Sequence, residues 1–217
     1  MLTFQSLECQ DKFVYTLLSK TNNTSILSNY NSFFLDISCC HPVLSNNTYI
    51  FENTFGWDGI GVDLVDYADW CGPFDWKRWR NSQFIQTDVT QEKFTEILKE
   101  RIPLNKRCVD YISLDVDDGN KNYGLIALLR ILGAGVSFKI MTLEHEFHSQ
   151  GELVRLPSRI FLERLGYKRL FSDVSFKDGK SFEDWWIDPF YFPTDIMDYK
   201  DENLYYEDCI LKLENFK

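Results

Sequence analysis

Positive charge, histidine and long apolar runs are scarce in this chain. Its 217 residues include only 3 His, and 23 Lys and Arg stand against 33 Asp and Glu, for a formal net charge of -10. That balance argues against a protein that tracks nucleic-acid phosphates, which needs a basic face. It argues equally against docking on an anionic membrane. The most basic stretch, "DWKRWR" with Lys77, Arg78 and Arg80, reads as a solvated helix face with two buried Trp. No run of about 18 apolar residues occurs, so no helical membrane span is expected. "MLTFQSLECQDKF" lacks a basic start followed by an apolar run, which predicts no signal peptide and a cytoplasmic protein. Six scattered Cys (Cys9, Cys39, Cys40, Cys71, Cys108 and Cys209) then read as reduced thiols rather than a disulfide frame. The Asn-x-Thr triplets at Asn22 and Asn46 are, on the same reading, not glycan sites. Internal repeats and low-complexity tracts are also missing.

What the chain has in quantity is aromatic rings: 18 Phe, 11 Tyr and 6 Trp, enough for a large buried core. Residues 1–31 read as a short helix over 8–20 and a polar lead-in loop. Residues 32–192 read as one α/β domain, and 193–217 as an acidic, aromatic extension packing on it. Within the domain, strands and helices alternate. "FFLDI", "GIGVDL", "SQFIQTDV", "VDYISLDV" and "VSFKIMTLEHE" are strands. "NNTYIFENTFGW" is a helix capped by Asn47 or Thr48 and ended by Gly56. "TQEKFTEILKERI" is a helix with Thr90 as cap and Phe94, Ile97, Leu98 and Ile102 on one face. "NYGLIALLRIL" ends at Gly133. "SRIFLERLG" has Pro157 at its start and Gly166 at its exit. The pattern then changes to a hairpin, "YKRLFSDVSF" and "SFEDWWIDP", turning at Asp178-Gly179.

Such an order gives a parallel, doubly wound sheet that binds its ligand at the strands' carboxyl ends. Those ends carry Asp36, Asp63, Asp88, Asp115 and Glu144. A carboxylate closing the second strand can accept both hydroxyls of a ribose, which suits Asp63. An acceptor closing the third strand can take an adenine amine, which suits Asp88. An acidic cleft also suits a cationic sulfonium. The G-x-G-x-x-G turn of dinucleotide folds and the Walker loop are both absent. The first strand instead runs into "DISCCHP". Cys39, Cys40 and His41 raise a zinc site or a cysteine nucleophile, but adjacent Cys splay apart and no second ligand pair completes a tetrahedral set. Small turn residues facing a cofactor pocket is the preferred reading.

A terminal hairpin after five β-α units is the arrangement of class I methyltransferases, and several blocks resemble the FkbM-type methyltransferase family. Members tend to show D-x-G-A-x-D-G, S-N-T-Y-x-x-E and G-W-x-G-I-x-x-E; this chain has "DISCCHPVLSNNTYIFENTFGWDGIGVD". Asn47, Thr48, Tyr49, Glu52, Gly56, Trp57, Gly59 and Ile60 match. "VDYISLDVDDG" is similar to the family's "IDFLSIDVEG", and "LEHE" to its "IEHN". "LERLGYKRLF" and "WWIDP" resemble its closing helix and hairpin. The likeness covers roughly residues 32 to 190. The first-turn glycines are replaced by Ser38 and Pro42, and the Glu closing strand two by Asp63.

The resemblance implies a Rossmann-like class I methyltransferase fold: a mostly parallel seven-stranded sheet, a C-terminal antiparallel hairpin and helices on both faces. It implies S-adenosylmethionine-dependent O-methylation of a sugar or glycan hydroxyl. The alternative is a methyltransferase-like binding protein that has lost its cofactor. Asp36, Ser38, Asn47, Thr48, Asp63 and Asp88 are the expected cofactor residues. Deprotonating a hydroxyl needs a base or a metal. His145 is the expected base, and Asp115, Glu144 and His145 the expected catalytic group and Mg²⁺ or Mn²⁺ ligands. Strand alternation sends Glu144 and His145 to opposite faces unless the strand has ended. Asp117 and Asp118 read as helix caps, and His148 as a surface or loop residue. The expected partner is a small molecule or glycan, with no nucleic acid and no membrane; a homodimer is compatible.

Overall fold

A computed structural model describes residues 2–21, 23–65, 76–116, 121–199 and 201–216; Asn22, Cys71, Asp117 and Asp118 lie outside them. The first strand, β1 (Phe33–Ile37), is buried along its whole length. An apolar run without alternation requires cover on both faces. The other strands are β2 (Asp58–Asp63), β3 (Gln83–Gln86), β4 (Cys108–Leu114), β5 (Ser137–Glu144), β6 (Lys168–Ser175), β7 (Ser181–Ile187) and β8 (Asp201–Glu202). They form one sheet in the order β3-β2-β1-β4-β5-β7-β6-β8. Strands β1 to β5 pair in parallel, and β7 inserts antiparallel between β5 and β6. The expected seven strands are present, and an eighth from the tail pairs in parallel with β6.

The helices are α1 (Gln10–Lys20), α2 (Thr24–Leu27), α3 (Tyr49–Phe55), α4 (Trp76–Trp79), α5 (Glu92–Arg101), α6 (Tyr123–Gly133), α7 (Phe147–Gln150), α8 (Arg155–Arg164) and α9 (Tyr206–Glu214). Alternation along the strands feeds two cores. On one face Leu35, Ile112, Met141 and Trp186 pack with Phe94, Leu128 and Leu162 of α5, α6 and α8. On the other Phe34, Tyr111, Ile140 and Trp185 pack with Phe13, Phe51 and Ile210 of α1, α3 and α9. Close packing explains two strand glycines. A Cβ on Gly59 would lie 2.5 Å from the Phe34 ring, and one on Gly61 2.5 Å from Trp76.

Several local expectations change. Thr90 does not cap α5: its hydroxyl turns back to Asp88 at 2.7 Å, and Gln91 flanks the helix. Thr48 precedes α3, but its hydroxyl donates to Asp36 at 2.8 Å rather than capping an amide. The helix α6 ends at Gly133 as expected, and the chain reverses two residues later at Gly135, φ +76°. Of the two Trp in "DWKRWR" Trp76 is buried and Trp79 is 44% exposed, while Arg80 is enclosed at 3% exposure. Gly56 and Gly179 adopt the left-handed conformations that the helix stop and the hairpin turn require. Among the described residues no helix is long and apolar enough to cross a membrane.

Candidate functional site

The carboxyl ends of β1 to β4 open onto a cavity of about 440 Å³, within the range of small-molecule sites. Ser38, Asp63, Asp88 and Asp115 all line it, joined by Cys40, Thr87 and Tyr123. This edge lies beside the topological switch, where β1 has β2 on one side and β4 on the other.

Backbone amides hold Asp63 in place. Cys40 donates to its Oδ2 and Val65 to its Oδ1, each at 3.0 Å. Two carboxylate oxygens offer about four lone-pair positions, so acceptor capacity remains after those bonds. Asp88 is held ionised: the Thr90 hydroxyl and amide, then Gln91, keep its carboxyl below the usual range. The Asp115 amide donates to the Ile37 carbonyl at 3.3 Å, which fixes the end of β4 against β1.

The first turn keeps a glycine-like path without glycine. Ser38 and Cys40 sit at φ +58° and +50°, each at an inherent cost of about 1–2 kcal/mol for an L-residue. Between them the Cys39 amide still donates to the Val62 carbonyl, extending the β1–β2 pairing by one residue. Cys39 is buried, and burial pushes its thiol well above the ordinary value. His41 Nδ1 accepts from the amides of Val43 and Leu44 in its own loop. The Cys-Cys-His run is therefore a folded turn and not a ligand set.

Asp36, Asn47 and Thr48, expected at the cofactor, are outside the cavity lining and support it from below. Asp36 is 2% exposed and accepts from Thr48 Oγ1 at 2.8 Å and Asn46 Nδ2 at 3.1 Å. Burial pushes it up to about 6 against the opposing pull of Thr48, Arg80 and Asn46. Asn47 Nδ2 donates to Ser113 Oγ at 2.9 Å, tying the loop to β4. The centre of this network is Arg80. It donates to Glu52 at 2.5 Å, to the Pro42 carbonyl at 3.0 Å, to Asn46 Oδ1 at 2.9 Å and to Thr48 Oγ1 at 2.9 Å. Glu52 also accepts from the Asn81 and Ser82 amides and the Ser82 hydroxyl. Arg80 thus locks the 42–48 loop and α3 beneath the turn. The sequence contained one clue to this: the Arg lies among Trp76, Trp79 and Phe84, and its guanidinium stands 4.6 Å from the Trp76 ring centre.

The expected group of Asp115, Glu144 and His145 does not assemble. His145 is 1% exposed on the opposite side of the chain from Glu144. Its Nε2 lies 3.5 Å from Asp184 Oδ1 and 3.8 Å from Asp173 Oδ1, and Nδ1 accepts from the Phe147 amide. Arg159 binds Asp184 through two 2.7 Å hydrogen bonds, and Arg155 reaches Asp173 at 2.7 Å. Burial opposes ionisation of Asp184, but the Arg159 hydrogen bonds hold its carboxyl well below the usual range. Among the described residues, His145, Asp173 and Asp184 are the one His/Cys/Asp/Glu group whose ligand atoms come within 4.8 Å of each other. Two guanidinium groups already neutralise these carboxylates, so the cluster is an internal ion network. His148 pairs with Glu146 at 3.3 Å.

No protein-family model matches the chain. No curated protein matches it either. Solved structures do. An rRNA methylase from Streptococcus thermophilus aligns over 87% of this chain and 99% of its own at 11% identity, with a TM-score of 0.48. Human methyltransferase-like protein 13 in complex with SAH aligns over 94% of this chain and 91% of its own at 12% identity, with a TM-score of 0.51. With the strand order and the antiparallel β7 inserted between β5 and β6, the latter likeness shows the Rossmann-like fold of class I methyltransferases.

Proposed function

We propose that the protein is an S-adenosylmethionine-dependent methyltransferase whose cofactor occupies the cavity above β1 to β4. The observation that carries this reading is the convergence of Asp63, Asp88 and Asp115 on one cavity of ligand size. Asp63, fixed by two amides, accepts from the ribose hydroxyls. Asp88, kept ionised by Thr90, accepts from the adenine amine. Asp115 brings negative charge to the end where a cationic sulfonium would lie. The SAH in the structure of methyltransferase-like protein 13 supports the same ligand class. An open cavity beside Ser38 favours binding over a protein that has lost its cofactor.

When bound, S-adenosylmethionine supplies an electrophilic methyl group on a positively charged sulfur. The turn at Ser38 to Cys40 and the end of β4 line the cavity. The FkbM-type blocks favour transfer to a sugar or glycan hydroxyl. A base for that chemistry would come from Asp115, since His145 is sequestered by Asp173 and Asp184. Among the described residues no convergent donor set supports a metal at Asp115 and Glu144.

Titration calorimetry with S-adenosylmethionine and S-adenosylhomocysteine tests the reading. Saturable binding of both is expected, weakened at least tenfold by Asp63→Asn. Absence of heat and of any thermal shift at millimolar ligand overturns it.

A further inference from the structure

Away from the cofactor cavity, α8 is apolar on two opposite sides. Val154 and Leu162 are buried in the core that α8 shares with the sheet. Yet Leu153, Leu156, Ile160, Phe161 and Leu165 are each 43% to 55% exposed. With 3.6 residues per turn, Leu156 and Ile160 stand on the side opposite Val154, Ser158 and Leu162, and Phe161 lies along one flank. A helix that is apolar all round is normally a covered helix. The open apolar area is on the order of 400 Å², the size at which a patch on a single chain marks an interaction site.

The two ends of this face carry opposite charges. Glu152, Leu156, Ile160 and Arg164 follow at intervals of four, which places them on one ridge. Reversed and laid against itself, that ridge is complementary. Leu156 meets the second copy's Ile160, and Glu152 meets its Arg164. Glu152 already accepts from Arg155 Nε at 3.1 Å and Nη2 at 2.5 Å. Its two oxygens offer about four lone-pair positions, so a second guanidinium can be accepted. Neighbouring Arg155, Arg159 and Arg169 pair with Glu152, Asp173 and Glu163, while Arg164 forms no ion pair among the described residues. The whole chain carries -10, but residues 152–165 hold three Arg and two Glu. Two copies can therefore meet at this face without the self-repulsion of the remaining surface.

We propose that the protein forms a two-fold dimer in which α8 packs antiparallel on the second copy's α8. Leu156 and Ile160 form its centre, and a Glu152–Arg164 pair closes each end. A two-fold interface needs a surface complementary to itself, and this ridge has that property. The two apolar faces together cover on the order of 800 Å², and Pro157, Glu163 and Arg164 at the rim bring the area to about 1,000 Å², the lower limit for a specific interface. The dimer is accordingly weak and dependent on concentration. An apolar centre inside a charged rim is the usual anatomy of such contacts. The cofactor cavity opens at the ends of β1 to β4, and none of its described lining residues belongs to α8. Dimer formation therefore leaves that cavity open.

Sedimentation velocity of the whole chain over a wide range of concentration tests this. A reversible monomer–dimer equilibrium is expected. Ile160→Glu is expected to leave a monomer throughout, with an unchanged circular dichroism spectrum and S-adenosylhomocysteine affinity within about twofold of the unaltered chain, because the side chain is open to solvent in the monomer. The charged ends give a second measurement that does not touch the apolar centre. Arg164→Glu alone and Glu152→Arg alone each set like charges together at both ends, and each is expected to weaken the dimer about tenfold. Mixed in equal amounts, the two variants restore opposite charges at both ends, so a heterodimer about as tight as the unaltered dimer is expected. A chain that stays monomeric at every concentration overturns the proposal, including one that binds lipid vesicles or a foreign apolar helix instead. So does a dimer that Ile160→Glu leaves intact, or a mixture of the two charge variants no tighter than either alone.

Discussion

Replacing Arg80 by Met is the perturbation whose size follows most directly from the structure. The guanidinium is 3% exposed and makes four hydrogen bonds, to Glu52, Pro42, Asn46 and Thr48. Met fills much of the aliphatic volume but removes the charge. Glu52, 8% exposed, then keeps its bonds to Ser82 and the Asn81 amide but loses its countercharge. Breaking one side of a buried pair costs about 3–5 kcal/mol. The orphaned Pro42 carbonyl and Asn46 Oδ1 belong to the same loss, so the sum stays near about 4–5 kcal/mol. That is a third or more of the whole stability of many domains. Urea unfolding of both proteins measures it, and cofactor titration is expected to show at least a tenfold loss as the 42–48 loop slackens. The double variant Arg80→Met with Glu52→Met removes both charges and is expected to recover most of the stability. A loss below about 1 kcal/mol for Arg80→Met, or a double variant as unstable as the two single losses added, refutes the argument that charge pairing holds this loop.

Three further outcomes are expected. Ser38→Gly relieves a left-handed serine and is expected to stabilise the fold by about 0.5–1 kcal/mol once glycine's extra unfolded freedom is deducted; a melting temperature that falls contradicts this. Asp36 ionises near 6 when folded and near 3.8 when unfolded, so the unfolded chain releases its proton first and stability falls as pH rises from about 4 to 6; the two-unit difference corresponds to about 3 kcal/mol, and Asp36→Asn is expected to remove this part of the pH dependence of urea midpoints. His145→Gln breaks the ion network rather than the chemistry, so a lower melting temperature with an unchanged pH profile of methyl transfer is expected, and loss of the acid limb of that profile would return His145 to the reaction as its base.

How much could be read beforehand depended on how local the cause was. The β1 and β5 strands, the Gly56 stop and the Asp178-Gly179 turn follow from residues within one turn of each other, and they stand as read. The acids Asp63, Asp88 and Asp115 were legible because strand ends in a parallel sheet must share an edge. Arg80 was not, because its partners lie 28 to 38 positions away and only the fold shows that a basic residue in a polar stretch is enclosed. His145 is next to Glu144 in sequence, but the two side chains are not together in space. Alternation won: Glu144 faces the Glu183 side, and His145 faces Asp184, the next residue along β7. Strand β8 carries no alternation in two residues and owes its place to pairing with Phe171 and Ser172.

The contact between α1 and α9 ties together elements from the two ends of the domain. Phe13, Val14 and Leu17 share their core with Cys209, Ile210 and Leu213, and Lys12 reaches Glu214 at 3.2 Å. During synthesis α1 is made before the strands β6 and β7 and the helix α9 that bury it. Its apolar face stays uncovered until residues 209 to 213 have been made. Here the β1 to β5 sheet can pair early, while the α1-covered core closes only once α9 has been made.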